Sequence, residues 1–156
     1  MNYLLLAMEI YRVSFIGHRE VDDFFFVEER VYAIVCELLR TKEYVEFYVG
    51  RNGEFDTLVA SVIKRAKRTM GEHNSSLILV IPYPVANMEY YEDYYDEIIY
   101  PHELCDVHYK SAITKRNEWL VNNSDMLIAY VTHKYGGAAR CLKRAMGREI
   151  EIKRVD

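Results

Sequence analysis

The stretch Tyr48-Val49-Gly50-Arg51-Asn52-Gly53-Glu54-Phe55-Asp56 constrains the fold more than any other. A β-branched and aromatic run, Val45 to Val49, stops at Gly50. After a polar turn, Leu58, Val59, Val62, Ile63 and Ala66 recur at helical spacing. Asp56 stands where a helix N-cap belongs. Strand, glycine turn and helix N-terminus make a ready anion site, because the free N–H groups of the first turn face outward and the macrodipole favours negative charge.

The same alternation runs through the chain. Arg12 to Ile16 reads as a buried strand ending in Gly17-His18-Arg19, and a helix follows with Val27, Val31, Ile34, Val35, Leu38 and Leu39 on one face. Leu77 to Ile81 is a continuous apolar run, suited to a strand covered on both faces, and it stops at Pro82-Tyr83-Pro84. Met88 to Glu97 carries four tyrosines and five acidic residues and reads as a short helix; Ile98 to Tyr100 reads as a brief strand and His102 to Tyr109 as a loop. Ser111 to Asn122 is a helix, Met126 to Val131 a buried strand, Gly136-Gly137 the start of a helix ending at Gly147, and Glu149 to Ile152 an edge strand. The expected fold is α/β: a doubly wound, mostly parallel, Rossmann-like sheet of about five or six strands with helices on both faces. Ligands of such sheets bind beyond the carboxyl ends of the strands, where three glycine turns converge: Gly17 to Arg19, Gly50 to Asp56 and Gly136-Gly137.

At 156 residues the chain fits one domain, with residues 1–10 set apart as an N-terminal extension. Met1 to Ala7 is expected to be dispensable for folding; the competing reading is an extra strand or helical turn. The segment is short and lacks a basic start, which suits neither a signal peptide nor a membrane span. Three scattered cysteines, Cys36, Cys105 and Cys141, suit a reducing cytoplasm. A formal charge of −4, with an acidic Met88 to Glu97, argues against nucleic acid as a partner, although a local basic cleft stays compatible with it.

Six ordered motifs carry a family resemblance. They are Gly17-His18-Arg19, Gly50-x-x-Gly53-x-Phe55-Asp56, Ile81-Pro82-Tyr83, Lys115-Arg116-Asn117, Ser124-Asp125 ahead of Ile128-Ala129-Tyr130, and Gly136-Gly137-Ala138. Over about Arg12 to Val155 the chain resembles the SMF/DprA–LOG (SLOG) superfamily of Rossmann-like domains, in its GHR-motif branch. The resemblance implies a pocket for a nucleotide or nucleotide-derived small molecule, no added cofactor, and a homo-oligomer. LOG-type phosphoribohydrolases carry Pro-Gly-Gly-x-Gly-Thr-x-x-Glu. Here Tyr135 replaces the proline, Ala139 and Arg140 replace the later Gly and Thr, and Lys143 stands where the catalytic Glu would be. An ammonium group does not stabilise an oxocarbenium-like centre, so no catalytic residue of that type is assigned.

The candidate ligand-binding residues are Gly17, His18, Arg19, Gly50, Arg51, Asn52, Gly53, Glu54, Pro82, Tyr83, Arg116, Asn117, Gly136 and Gly137. Arg19 would pair with a phosphate bidentately, assisted by a protonated His18; the competing reading pairs Arg19 with Glu20, Asp22 or Asp23. Arg51 and Asn52 would present backbone N–H groups, and Glu54 a carboxylate for a ribose hydroxyl or a base. Arg116 and Asn117 would reach the pocket floor or bond the Pro82 to Pro84 loop. Tyr83 and Tyr135 offer rings for a base, against plain packing. His102-x-x-Cys105-x-x-His108 lacks a fourth ligand partner, so no metal site is assigned. Two other functions compete with ligand sensing: bond cleavage using Glu54 or Asp56, and a partner surface made by Met88 to Glu97.

Overall fold

The computed structural model describes residues 8–156. The expected extension Met1 to Ala7 lies outside the described residues. Ile10, by contrast, belongs to the sheet, because β1 spans Ile10–Gly17 and pairs Ile10 with Tyr44. The chain continues as α1 (Phe24–Thr41), β2 (Tyr44–Val49), α2 (Glu54–Met70), β3 (Ser75–Val80), α3 (Met88–Tyr94) and β4 (Glu97–Ile99). Two short 3₁₀ turns, His102–Leu104 and Tyr109–Ser111, occupy the expected loop. Then come α4 (Ala112–Asn122), β5 (Met126–Tyr130), α5 (Gly137–Met146) and β6 (Glu151–Arg154).

All six strands are parallel, in the order β4-β3-β2-β1-β5-β6. The chain winds outward from β1 to β4, then returns across the sheet to β5 and β6. The reversal in strand order therefore falls between β1 and β5, which pair from Val13–Met126 to Gly17–Tyr130. That is where the crevice of a doubly wound sheet opens.

Strand alternation explains the two layers. Val13, Phe15, Phe47, Leu77 and Ile128 face α1 and α2, whose Val31, Val35, Val59 and Ile63 complete one core. Ile16, Leu127 and Ala129 face α5 through Cys141, Leu142 and Ala145, while Tyr48, Ile78 and Val80 meet Leu120 of α4. The central strands are buried on both sides, as the unbroken apolar runs require.

One expected boundary moves. Helix α2 begins at Glu54 with Gly53 as its N-cap, so Asp56 is the third helical residue rather than the cap. Gly53 takes this position with φ 141°, a region open to glycine, and a Cβ there would meet Arg19 Cα at 2.7 Å. Asp56 reaches backward instead, its Oδ2 accepting the Asn52 N–H at 2.9 Å.

Candidate functional site

A cleft of about 700 Å³ opens at the β1–β5 reversal. Its walls come from the loop after β1, the turn before α2, the first half of α4, and the β5–α5 loop. Of the residues expected from sequence it brings together Gly17, His18, Arg19, Asn52, Arg116, Asn117, Gly136 and Gly137, with Asp56 beside them. Gly50, Arg51, Gly53, Glu54, Pro82 and Tyr83 do not line it.

The turn before α2 is the clearest departure. Its N–H groups were expected to be free for an anion, yet Asn52 donates to Asp56 and Glu54 donates to Arg19 O at 2.8 Å. The Glu54 carboxylate accepts the Val21 N–H at 2.7 Å, which gives it an internal partner in place of a ribose. Gly53 and Glu54 instead share a shallow adjoining depression with Arg19, Phe24 and Thr57. Arg51 lies over the Tyr91 ring and donates to its hydroxyl at 3.3 Å, and Tyr83 packs on Tyr109.

The two loops flanking the reversal brace each other. Tyr130, buried in β5, accepts the Asp22 N–H at its hydroxyl, 2.9 Å away. In return His18 Nε2 accepts from Thr132 N (3.0 Å) and His133 N (3.4 Å) in the β5–α5 loop. An Nε2 that accepts two N–H bonds carries no proton, so the expected protonated His18 is replaced by a neutral, loop-holding imidazole. Burial, followed by the neighbouring His133, lowers its pKa from 6.5. A lowered folded pKa means the unfolded chain takes up the proton first as pH falls. Stability from this group is therefore complete above about 6.5 and is lost as pH falls from there through the lowered folded value. The matching prediction compares urea midpoints at pH 7.5 and 5.5. The loss on acidification should be larger in the wild type than in His18→Gln, and equal losses would dismiss this role for His18.

The floor is Arg116, a 5% exposed guanidinium on α4. Its Nη1 donates to Val80 O at 3.0 Å and its Nε to Asn117 Oδ1 at 3.0 Å, while Nη2 has no hydrogen-bond acceptor among the described residues. Asp56 faces Arg116 across Gly50, where a Cβ would come within 2.8 Å of Asp56 Oδ2 and 3.0 Å of Arg116 Nη1. Burial pushes the Asp56 carboxyl up, against the pull of Arg116 and the Asn52 N–H.

The far wall is the N-terminus of α5. Gly136 is its N-cap with φ 93° and no side-chain cap, and the N–H groups of Gly137, Ala138 and Ala139 meet no acceptor among the described residues. Arg19, Lys110 and Arg140 also line the cleft, each without a carboxylate within 4.0 Å among the described residues. The ion pair considered for Arg19 is therefore not formed. Sequence reading did not place Lys110, Arg140 or His133 at the site: Lys110 and His133 sit in no motif, and Arg140 was weighed only as the replacement for a threonine of the LOG-type motif. Lys143 is exposed and outside the cleft. No three metal-ligating side chains cluster among the described residues, and no helix there is long and apolar enough to cross a membrane.

No family model and no curated protein matches this sequence. Solved structures do. The DNA processing protein A (DprA) of Streptococcus pneumoniae superposes with a TM-score of 0.66 at 18% identity, over 98% of this chain and 52% of that one. DprA of Helicobacter pylori gives 0.56 at 14% identity, over 93% and 66%, and that protein's structure is described with a single-stranded DNA binding mode. A structural-genomics target, TM1055, gives 0.55 at 13% identity, over 91% and 72%. The class that these likenesses define is a Rossmann-like α/β fold with an all-parallel six-stranded sheet. This chain spans about half the length of the pneumococcal protein. Counting nucleic acid out as a partner on net charge is corrected by these neighbours, one of which binds single-stranded DNA. A formal charge of −4 averages over the whole chain and does not describe the cleft, where Arg19, Lys110, Arg116 and Arg140 stand with Glu20, Asp22 and Asp56.

Proposed function

We propose that the cleft binds the phosphate-bearing part of a nucleotide or nucleotide-derived molecule. The observation that carries this reading is one cleft holding three unpaired cations, Arg19, Lys110 and Arg140, an uncapped ten-residue helix N-terminus, and the free Nη2 of Arg116. Uncapped N–H groups and guanidinium forks share one natural complement, a phosphate. The phosphate sits at Gly136 to Ala138 rather than at the turn before α2, where the Asn52 and Glu54 N–H groups already have internal acceptors and Gly53 and Glu54 lie outside the cleft. Binding proceeds without LOG-type cleavage, because the position of the catalytic carboxylate is Lys143.

A second reading puts the same phosphate in a single nucleic-acid strand. The observation favouring it is the fold shared with DprA over nearly the whole chain, one example of which binds single-stranded DNA. Salt separates the two, since a strand that contacts several cations loses affinity steeply with salt and a mononucleotide loses little.

Calorimetric titration with mono-, di- and cyclic nucleotides, NAD-related compounds and a single-stranded oligonucleotide is the test. We expect at least one to bind in the micromolar range and to be recovered intact by mass analysis. Binding of none, with folded protein, would falsify the proposal; recovery of a cleaved nucleotide would move the protein among the enzymes.

A further inference from the structure

Three rings stand in a row at the mouth of the cleft. His18 is the anchored one, buried at 9% exposure and held in plane by the two N–H groups that its Nε2 accepts. His133 lies on it, with centroids 3.6 Å apart and planes within 10°. Tyr135 lies on His133, with centroids 4.0 Å apart and planes within 23°. The His133 ring is pinned in turn, its Nδ1 lying 3.1 Å from Tyr135 O. The column ends in Tyr135, which lines the cleft and is 72% exposed.

Resting on the reading of the cleft as a phosphate site, we infer that the outer face of Tyr135 is a stacking platform for a nucleobase whose phosphate lies at the α5 N-terminus. Other exposed tyrosines lack this arrangement. Tyr109 meets Tyr83 tilted by 46°, and Tyr90 meets Tyr91 edge-on at 85°. Neither pair is a parallel stack, and none of these four rings lines the cleft. Tyr135 differs because its ring is pre-set parallel to two others, and a fourth flat ring continues the column with no rearrangement.

The neighbouring groups fix what kind of ring it takes. Gly136 and Gly137 follow Tyr135 directly, so the first of the free N–H groups, that of Gly137, lies within about 7 Å of the platform along the chain. Arg140 follows one helical turn later, and Arg19 and Lys110 close the other sides. A flat ring joined to a multiply charged anion over that span is a nucleotide. The geometry is shared by a free nucleotide and by one residue of a single strand. At the corresponding place the LOG-type motif has a proline, which carries no aromatic face, so this platform belongs to this chain's own sequence.

The test titrates adenosine 5′-monophosphate, ribose 5-phosphate, and a short single strand beside its abasic counterpart into wild type, Tyr135→Ala and Tyr135→Phe. Tyr135 is exposed, so the variants should keep the wild-type melting midpoint. In the wild type the base-bearing member of at least one pair should bind about tenfold tighter than its base-free partner. Tyr135→Ala should remove that advantage and leave the base-free member unchanged, while Tyr135→Phe should keep it. Which pair responds identifies a free nucleotide or a strand. Equal binding within each pair, or an advantage that survives Tyr135→Ala, overturns the platform and leaves the phosphate site standing. If no compound binds, the phosphate site and the platform fall together.

Discussion

Gly17→Ala is expected to destabilise the domain by about 3 kcal/mol, at the upper end of what overpacking a core usually does. Gly17 closes β1 with its Cα against the Phe55 ring. A Cβ at this position would lie 2.3 Å from Phe55 Cδ2, 2.4 Å from Cγ and 2.8 Å from Cβ. The ring has no room to withdraw. It is fully buried and stacked on Tyr130, with centroids 5.8 Å apart. Tyr130 in turn holds the loop after β1 through its hydroxyl. Relief therefore requires the backbone to shift at the cleft wall itself. For a chain of this size the loss corresponds to a melting midpoint lower by roughly 10 °C. The origin is checked by coupling: Phe55→Ala alone leaves a cavity and loses about 3–5 kcal/mol. With Phe55→Ala in place, adding Gly17→Ala should have a smaller effect by at least about 1 kcal/mol, because Cγ and Cδ2 are gone. Additive losses, or a stable Gly17→Ala, would show that the contact relaxes cheaply.

That contact shows where sequence reading stopped. Gly17 and Gly53 were legible as turn glycines because they end a strand and precede a helix, and the structure keeps both at those boundaries. The reason for glycine is tertiary at Gly17, where Phe55 fills the space, and at Gly53 the close Arg19 backbone adds to a φ of 141° that is itself open to glycine. Pattern along the chain does not carry such distances. The sheet itself was legible because strands buried on both faces read as unbroken apolar runs, as Leu77 to Ile81 does. Strand order was not, since β5 finds β1 across more than a hundred residues. The site divides in the same way. Gly136-Gly137 announced themselves by position at a helix start and Arg116 by its Lys115-Arg116-Asn117 motif, whereas Lys110 and Arg140 joined the cleft only once α4 and α5 were packed side by side. His18 was expected to carry a proton, and its acceptor role was not legible because it depends on two N–H groups from a distant loop.

Arg116→Met should have the other large effect, a loss of about 3–5 kcal/mol at neutral pH, typical of stranding a buried partner charge. Methionine fills much of the arginine's volume, so the loss reports on polar groups rather than on a void. Two groups are stranded. Val80 O loses its donor at the end of β3, and Asp56 loses the cation that faces it across Gly50. The pH dependence identifies the second. Burial already raises the Asp56 pKa above its ordinary 3.8, with Arg116 pulling it back. Without that pull the folded-state value rises further. A raised folded pKa gives stability that is full below the unfolded value and is lost as pH rises through the folded one. The Arg116→Met penalty should therefore be smallest in acid and grow toward neutrality. Adding Asp56→Asn should remove that pH dependence and restore part of the stability, since an amide needs no counter-charge. A penalty that stays flat from pH 4 to pH 7 would assign the whole effect to Val80 O and leave Asp56 without a role in it. Phosphate binding by the double variant, measured where it is folded, then isolates the Nη2 contact: about tenfold weaker binding is expected for losing one charge-assisted hydrogen bond. The same guanidinium thus ties the end of β3 to the cleft floor and offers its remaining donor to the ligand, which is why a charged group is worth its burial here and an apolar one of equal size is not.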